Sequence, residues 1–245
     1  MNIIEYLNEN NISVGTEYFK NQNILNEKID VYSQIQLIGE IQQIFINRKP
    51  NILPPIGSTI GKDFEGFKVK IKKLKRYLDE FKMMDRSDFN YYLIDILEDT
   101  INRAEATVNA IDNYKYIELI KRSMRNNEIC LGKVDEGNLK RNSNFICVRT
   151  TKYLSCNLIE HDCYSYIRRL KKREDKFNIR EIITFFTNMQ GLDEYSKEYI
   201  YILSNYPIET TRTFIKFRNE NDRLNNEEWL NSFQSAISID GNELL

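Results

Sequence analysis

The chain reads as mostly α-helical with a small inserted β-sheet, an α+β architecture. Three observations predict it. Apolar residues recur at three- and four-residue spacing over long stretches, as in Val31, Ile35, Ile38, Ile41 and Phe45. Glycine and proline are scarce, at 9 and 4 of 245 residues, which argues against a loop-rich or all-β chain. Between Ile129 and Ile159, short apolar and β-branched runs around Gly132, Gly137 and Asn138 replace the helical period.

In order, residues 3–9 read as a short helix, and a strand falls within 12–19. The period over 29–46 predicts an amphipathic helix, which Pro50, Pro54 and Pro55 end. A long helix over 64–84 carries Phe67, Ile71, Leu74, Leu78 and Phe81 on one face. Its other faces hold Lys68, Lys70, Lys72, Lys73, Lys75, Arg76 and Lys82. Ser87 caps another helix, with Tyr91, Ile94, Leu97, Ile101, Ala104 and Val108 in register. A shorter one covers 114–124. Runs at 129–131, 145–151 and 153–159 predict three strands, and a helix follows from about Asp162 to Lys172. Asn178 opens the next helix and Gly191 stops it. Ser196 caps one reaching Asn205, Pro207 begins another to Asn219, and 227–237 is the last, with the single Trp229.

Bulk composition narrows the function classes. Lys and Arg (35) nearly cancel Asp and Glu (36), so no net field draws in a polyanion. The basic helix at 68–82 and the cluster Arg168, Arg169, Lys171, Lys172, Arg173 therefore read as solvated helix faces rather than a nucleic-acid footprint. Cys130, Cys147, Cys156 and Cys163 lack the pairing of a zinc site and read as buried thiols in a reducing compartment. The opening MNIIEYLNENN has Glu5 and Glu9 and no basic-then-apolar leader, and no window reaches about 18 uninterrupted apolar residues. A cytoplasmic protein without a membrane anchor is the expectation. GSTIGKD (57–63) is no phosphate loop: three residues rather than four separate its glycines, Asp63 stands where a magnesium-binding hydroxyl belongs, and prolines replace the preceding strand. It reads as a turn into the next helix.

Two stretches together carry a resemblance. PPIGSTIGKDFEGFKVKIKKLKRYLDEFK (54–82) is similar to a Pro-Pro-x-Gly-Ser turn with its following helix. ICLGKVDEGNLKRNSNFICVRTTKYLSCNLIEHDCYSYIRRL (129–170) has the layout of a phosphotransferase catalytic segment. The chain resembles, over roughly residues 35–235, the spore-coat CotS-like family of the aminoglycoside-phosphotransferase and choline-kinase-like proteins, and its helical C-terminal lobe in particular. The family's loop reads isoleucine-cysteine-histidine-glycine-aspartate and then an asparagine. Here Ile129, Cys130 and Gly132 match, Leu131 replaces the histidine, Lys133 replaces the catalytic aspartate, and Asn138 keeps the metal-binding asparagine position. The family's aspartate-phenylalanine-aspartate aligns with Thr150, Thr151 and Lys152. Asp162 matches a structural aspartate that starts the helix after the sheet.

Those replacements remove the chemistry. A lysine, with an unperturbed pKa of about 10.4, does not accept a hydroxyl proton at neutral pH. A neutral threonine oxygen is a poor magnesium ligand, and phosphoryl transfer needs carboxylates in both roles. No acidic residue lies between Phe145 and Ile159 to restore the metal ligand, and only Asp135 and Glu136 are local substitutes for the base. The resemblance also implies an N-terminal lobe of five strands, for which residues 1–28 are too few at about 5–6 residues per strand plus turns. The expectation is thus a short segment over 1–28 and a kinase-like lobe over 29–245, with no catalytic residue, metal or cofactor. Its vestigial site is Leu131, Gly132, Lys133, Asn138, Thr150 and Lys152. The implied function is a pseudokinase-like structural or interaction component of the spore coat. A protein partner, a second copy or the 1–28 segment itself would cover the face the N-lobe leaves bare. A repurposed site remains open: Lys133 and Lys152 beside Asn138 binding a phosphate-like anion, with His161 and Glu160 as base. The plainer reading of His161 is a helix-start residue on a polar surface.

Overall fold

The computed structural model describes residues 1–19, 30–49, 51–83, 87–142, 145–173, 177–220 and 223–241. The expected helix start at Ile29, the helix end at Met84 and the stop at Pro50 lie outside them, as does much of the 1–28 segment. The described residues are mostly helical with a small sheet, as the period of the sequence implies. They gather into two compact units: those within Met1–Ile60 and Asn113–Tyr201, and those within Gly61–Asp112 and Ile202–Leu245.

In the first unit, α1 (Ile3–Glu9) is closed at its start by a capping box between Asn2 and Glu5. Tyr6 stacks on Phe45 and donates its hydroxyl to the carbonyl of Ile44, at 2.7 Å, which fastens α1 to α2 (Val31–Ile46). Strand β1 (Ile12–Val14) follows, then a 3-10 turn at Glu17–Phe19. Five further elements surround the central segment: α5 (Asn113–Asn126), β2 (Ile129–Cys130), β3 (Leu139–Asn142), β4 (Phe145–Val148) and β5 (Ser155–Cys156). β1 pairs parallel with β4 (Ile12 opposite Ile146), and β3 pairs antiparallel on the other side of β4 (Leu139 opposite Val148), giving the order β1-β4-β3. β2 and β5 form a second, two-stranded antiparallel sheet. Ser58 bridges to Cys156, with the Thr59 N–H donating to the Cys156 carbonyl at 3.0 Å. Residues 57–59 therefore run beside β5, and Ile60 and Gly61, the latter at φ +80°, turn into the next helix as expected.

Helices α6 (Glu160–Leu170) and α7 (Ile179–Gln190) complete the wall behind the sheets, and α2 packs on both. Ile35, Ile38, Ile41 and Phe45 are fully buried there. Asn178 caps α7 and Gly191 ends it in the left-handed region, as the sequence indicates. One cap differs. Helix α8 (Glu194–Asn205) begins before Ser196, and it is Asp193 that accepts the Ser196 N–H, at 2.7 Å. Ser196 is buried one turn further in, where its hydroxyl has another use.

The second unit is a packing of α3 (Lys62–Lys82), α4 (Asp88–Asn109), α9 (Ile208–Glu220) and α10 (Asn226–Asp240). Leu74, Tyr77, Phe81, Leu97, Phe214, Trp229 and Phe233 form its core. Ser87 caps α4 as expected, its hydroxyl accepting from Asn90 N–H at 3.2 Å. The buried face of α4 keeps Leu97, Ile101 and Ala104 of the expected row but is wider than it. Leu93, Ile96, Leu97, Thr100, Ile101, Ala104 and Thr107 face inward while Tyr91 is exposed, because α4 packs on both α3 and α9. Two polar devices close the helix ends. Buried Asp240 accepts the N–H groups of Glu209 and Thr210, at 3.0 and 2.8 Å, capping α9. Arg103 donates to the carbonyls of Asn205 and Asp240, both at 2.8 Å, and to that of Gly241.

Candidate functional site

The vestigial-site residues fall on two loops of the first unit, 131–138 after β2 and 149–154 before β5. Gly132 sits at φ +74°, where L side chains are strained. A Cβ there would lie 2.6 Å from the Tyr153 carbonyl oxygen, so the two loops touch at this glycine. Asp162, buried near the start of α6, holds the first loop from behind. Its carboxylate accepts the N–H groups of Leu131 and Gly132, both at 2.9 Å, and the Gln42 side-chain amide at 3.2 Å. Burial pushes the Asp162 pKa up, while those three donors pull against it.

Asn138 ties the loops together. It is fully buried. Its amide nitrogen donates to the carbonyls of Lys133 (2.7 Å) and Thr150 (3.3 Å), and its oxygen accepts the Thr150 N–H at 3.0 Å. The Asn138 side chain thus serves main-chain groups on both loops and presents no free oxygen to a cation. The local acids are engaged as well. Asp135 accepts from Gly137 N–H at 2.9 Å, and Glu136 takes the Tyr166 hydroxyl at 2.7 Å and the Arg173 guanidinium at 2.5 Å. Lys133 is half-buried and Lys152 exposed, and neither has a carboxylate partner among the described residues. Lys152 lies 6.0 Å from the Tyr153 ring, and its N–H donates to the Thr150 hydroxyl at 3.2 Å.

A buried ionic group lies beside this frame. Arg122 of α5 reaches Glu128 at 2.9 Å, Glu160 at 2.7 Å and the Ser196 hydroxyl at 2.9 Å, with both carboxylates removed from solvent. Burial works to lower the Arg122 pKa, but the bonds and charges of Glu160 and Glu128 outweigh it and hold it above its ordinary value. Glu128 also accepts the Ile159 N–H at 3.3 Å, linking the ion group to the start of α6. This arrangement corrects the base pair drawn from the sequence. Glu160 is held by Arg122, and His161 is buried at 6% exposure, its Nε2 3.1 Å from the Tyr199 hydroxyl. It is not a surface residue, because Tyr164 and Tyr199 close over its ring.

All four cysteines are free. Burial, then the Asp162 and Glu160 charges, pushes the Cys130 thiol well up, and burial with the same two acids does so for Cys163. Both thiols are also removed from solvent. Among the described residues no group of three or more His, Cys, Asp or Glu side chains is placed to hold a metal ion. No helix among them is long and apolar enough to cross a membrane.

Four residues that shape the site are missing from the sequence reading: Gln34, Gln42, Arg122 and Glu128. Gln34 donates to the carbonyls of Val134 (2.7 Å) and Leu139 (3.0 Å), and Gln42 to that of Ile159 (3.0 Å). Their signal was available. Both glutamines interrupt the apolar stripe of α2, where a polar side chain must find buried partners. No protein-family model matches the chain, and no curated protein matches it.

Proposed function

We propose that this is a non-catalytic, kinase-like protein with a structural or interaction role, of the spore-coat kind that the resemblance implies. One observation carries the reading. The Asp162 carboxylate and the Asn138 amide spend most of their hydrogen bonds on main-chain groups of the two loops, and the resemblance would put Lys133 and Thr150 where a base and a metal ligand belong. Fully satisfied buried polar networks of this kind rigidify a core. On this reading the frame supports the fold, and the protein's partner is another protein.

A second reading has its own observation. Lys133 and Lys152 have no carboxylate partner among the described residues and belong to the two loops that Asn138 joins. Two ammonium groups on adjoining loops are the chemistry that a phosphate-like anion would use.

One thermal-melt series separates the readings. On the first, neither Mg·ATP nor inorganic phosphate shifts the melting temperature. A ligand at about 100 times its Kd adds about 2.7 kcal/mol, worth roughly 5–10 °C in a chain of this size. A rise of that order with Mg·ATP overturns the first reading. A rise with phosphate alone, lost in Lys133→Ala/Lys152→Ala, replaces it with the second.

A further inference from the structure

Three carboxylates and one guanidinium meet in the interior of the first unit. Glu128 and Asp162 are 1% exposed and Glu160 is 0% exposed. All three lie near enough to the buried Cys130 thiol to act on it electrostatically. Among the described residues Arg122 is the cation bonded to this group, and its two acidic partners are Glu128 and Glu160. Asp162 is left with uncharged donors, the Leu131 and Gly132 N–H groups and the Gln42 amide. Glu160 is short of donors as well, since its Oε1 is buried with none in reach.

Every element around Asp162 was searched for a balancing charge. Its own helix, α6, brings Glu160, His161 and Cys163, and β2 brings Cys130. Glu128 stands just before β2, and α5 brings Arg122. From α2 and α7 come Gln42 and Gln190, bonded to each other and uncharged. Arg48, past the end of α2, bonds the carbonyls of Phe45 and Asn127 instead. Lys133 follows Gly132 in the loop and makes no ion pair with Asp162. His161 favours the charged form of Asp162, and its Nε2 faces the Tyr199 hydroxyl of α8. With its carboxyls ionised, the cluster thus sets three negative charges against the one of Arg122, and a charged His161 would still leave an excess. A carboxyl held in this way relieves the cost of a buried, unmatched charge by taking a proton.

We propose that this cluster is a pH-sensitive device: in mildly acidic solution Asp162 takes one proton from solvent, the fold gains stability, and the grip of α6 on the 131–138 loop loosens. The new O–H bond leaves the loop N–H groups facing a neutral carboxyl, and bonds to a neutral acceptor are roughly half as strong as bonds to a carboxylate. Burial outweighs the three donors and holds the Asp162 carboxyl above its ordinary value, which sets the sign. The native chain keeps this proton to a higher pH than the unfolded chain does. The stabilisation is therefore complete below about pH 4 and is lost as pH rises through the native value. A carboxylate held below its ordinary value acts in the opposite direction. The device rests on the buried cluster alone and stands apart from the kinase-like reading.

The test is urea unfolding of the full chain between about pH 4.5 and about pH 7.5. Relative to Asp162→Asn, which has no proton to take, the folding constant of the wild type rises as pH falls, by up to about tenfold per pH unit. Carboxyl-carbon NMR of the wild type gives a second measurement that needs no variant: the Asp162 signal titrates above about pH 4. Hydrogen exchange at Leu131 and Gly132, corrected for its intrinsic pH dependence, quickens about tenfold from the upper pH to the lower. A wild type whose pH slope matches that of Asp162→Asn overturns the proposal. So does an Asp162 carboxyl that titrates at or below its ordinary value, a titration that belongs to His161 alone, or unchanged protection of the two loop amides.

Discussion

At the scale of single residues, Asp162 matters most to the central segment. Truncation to alanine leaves the Leu131 and Gly132 N–H groups and the Gln42 amide without their acceptor, at about 1–3 kcal/mol for each buried group left unpaired. Asp162→Ala should therefore lower the melting temperature by at least roughly 6–12 °C, the value for about 1 kcal/mol per group. Asp162→Asn should fall between the two, since its amide oxygen keeps one N–H partner and its NH₂ opposes the other. Equal melting of all three forms would remove Asp162 from its framing role. The thiols give a second check. Cys130 and Cys163 are buried with raised pKa values, so at neutral pH their thiolate fraction is small and their access blocked. Half-exposed Cys156 should take up iodoacetamide first by mass spectrometry, with Cys130 and Cys163 labelled only after denaturant. Rapid labelling of either in the folded chain would contradict their burial.

At the scale of elements, how much the sequence revealed depends on whether the signal is local. Helices α2, α3 and α7 carry their apolar period within their own residues, and α7 has its Asn178 cap and Gly191 stop beside it, so they were readable to within a few positions. Strand β3 was not, because Leu139–Asn142 pairs at a sheet edge with Arg141 and Asn142 in solvent, which leaves no alternation to see. The β1–β4 pairing joins residues more than 130 positions apart, and no local pattern encodes it. The α4 face was read in part, through Leu97, Ile101 and Ala104, and its full width was not, because two neighbours rather than one widen the buried stripe. In the candidate site, Gly132, Asn138 and Asp162 were found through the resemblance, whereas Gln34, Gln42, Arg122 and Glu128 act across the fold. Arg103 is another such residue. Its fork spans three carbonyls at the ends of α8 and α10, where a cation also meets the negative helix ends. Arg103→Ala should cost about 2–4 kcal/mol in urea unfolding. Arg103→Lys should recover only part of that, since one ammonium cannot reach all three oxygens. Full recovery by lysine would reduce its role to charge alone.

At the scale of the molecule, both units are discontinuous in sequence. The first takes residues up to Ile60 and resumes at Asn113; the second takes Gly61–Asp112 and resumes at Ile202. Each core is therefore assembled from segments far apart in the chain. Trp229 and Phe233 of α10 pack with Leu74 and Phe81 of α3. In the first unit, Ile12 of β1 lies opposite Ile146 of β4. Such long-range closure is paid in loop entropy before any contact repays it, so folding slower than that of a simple helical bundle is expected.

The split core of the second unit has a consequence during synthesis. The α3–α4 pair leaves the ribosome with Leu74, Phe81, Leu97 and Ile101 already aligned on its inner side. Its coverings, α9 and α10, begin about a hundred residues later, which at about 5–20 residues per second is a delay on the order of ten seconds. Throughout that interval a finished helical pair waits with a greasy side uncovered. The nascent chain thus passes through a stage at which holdase chaperones have a ready target, long before the last helix exists.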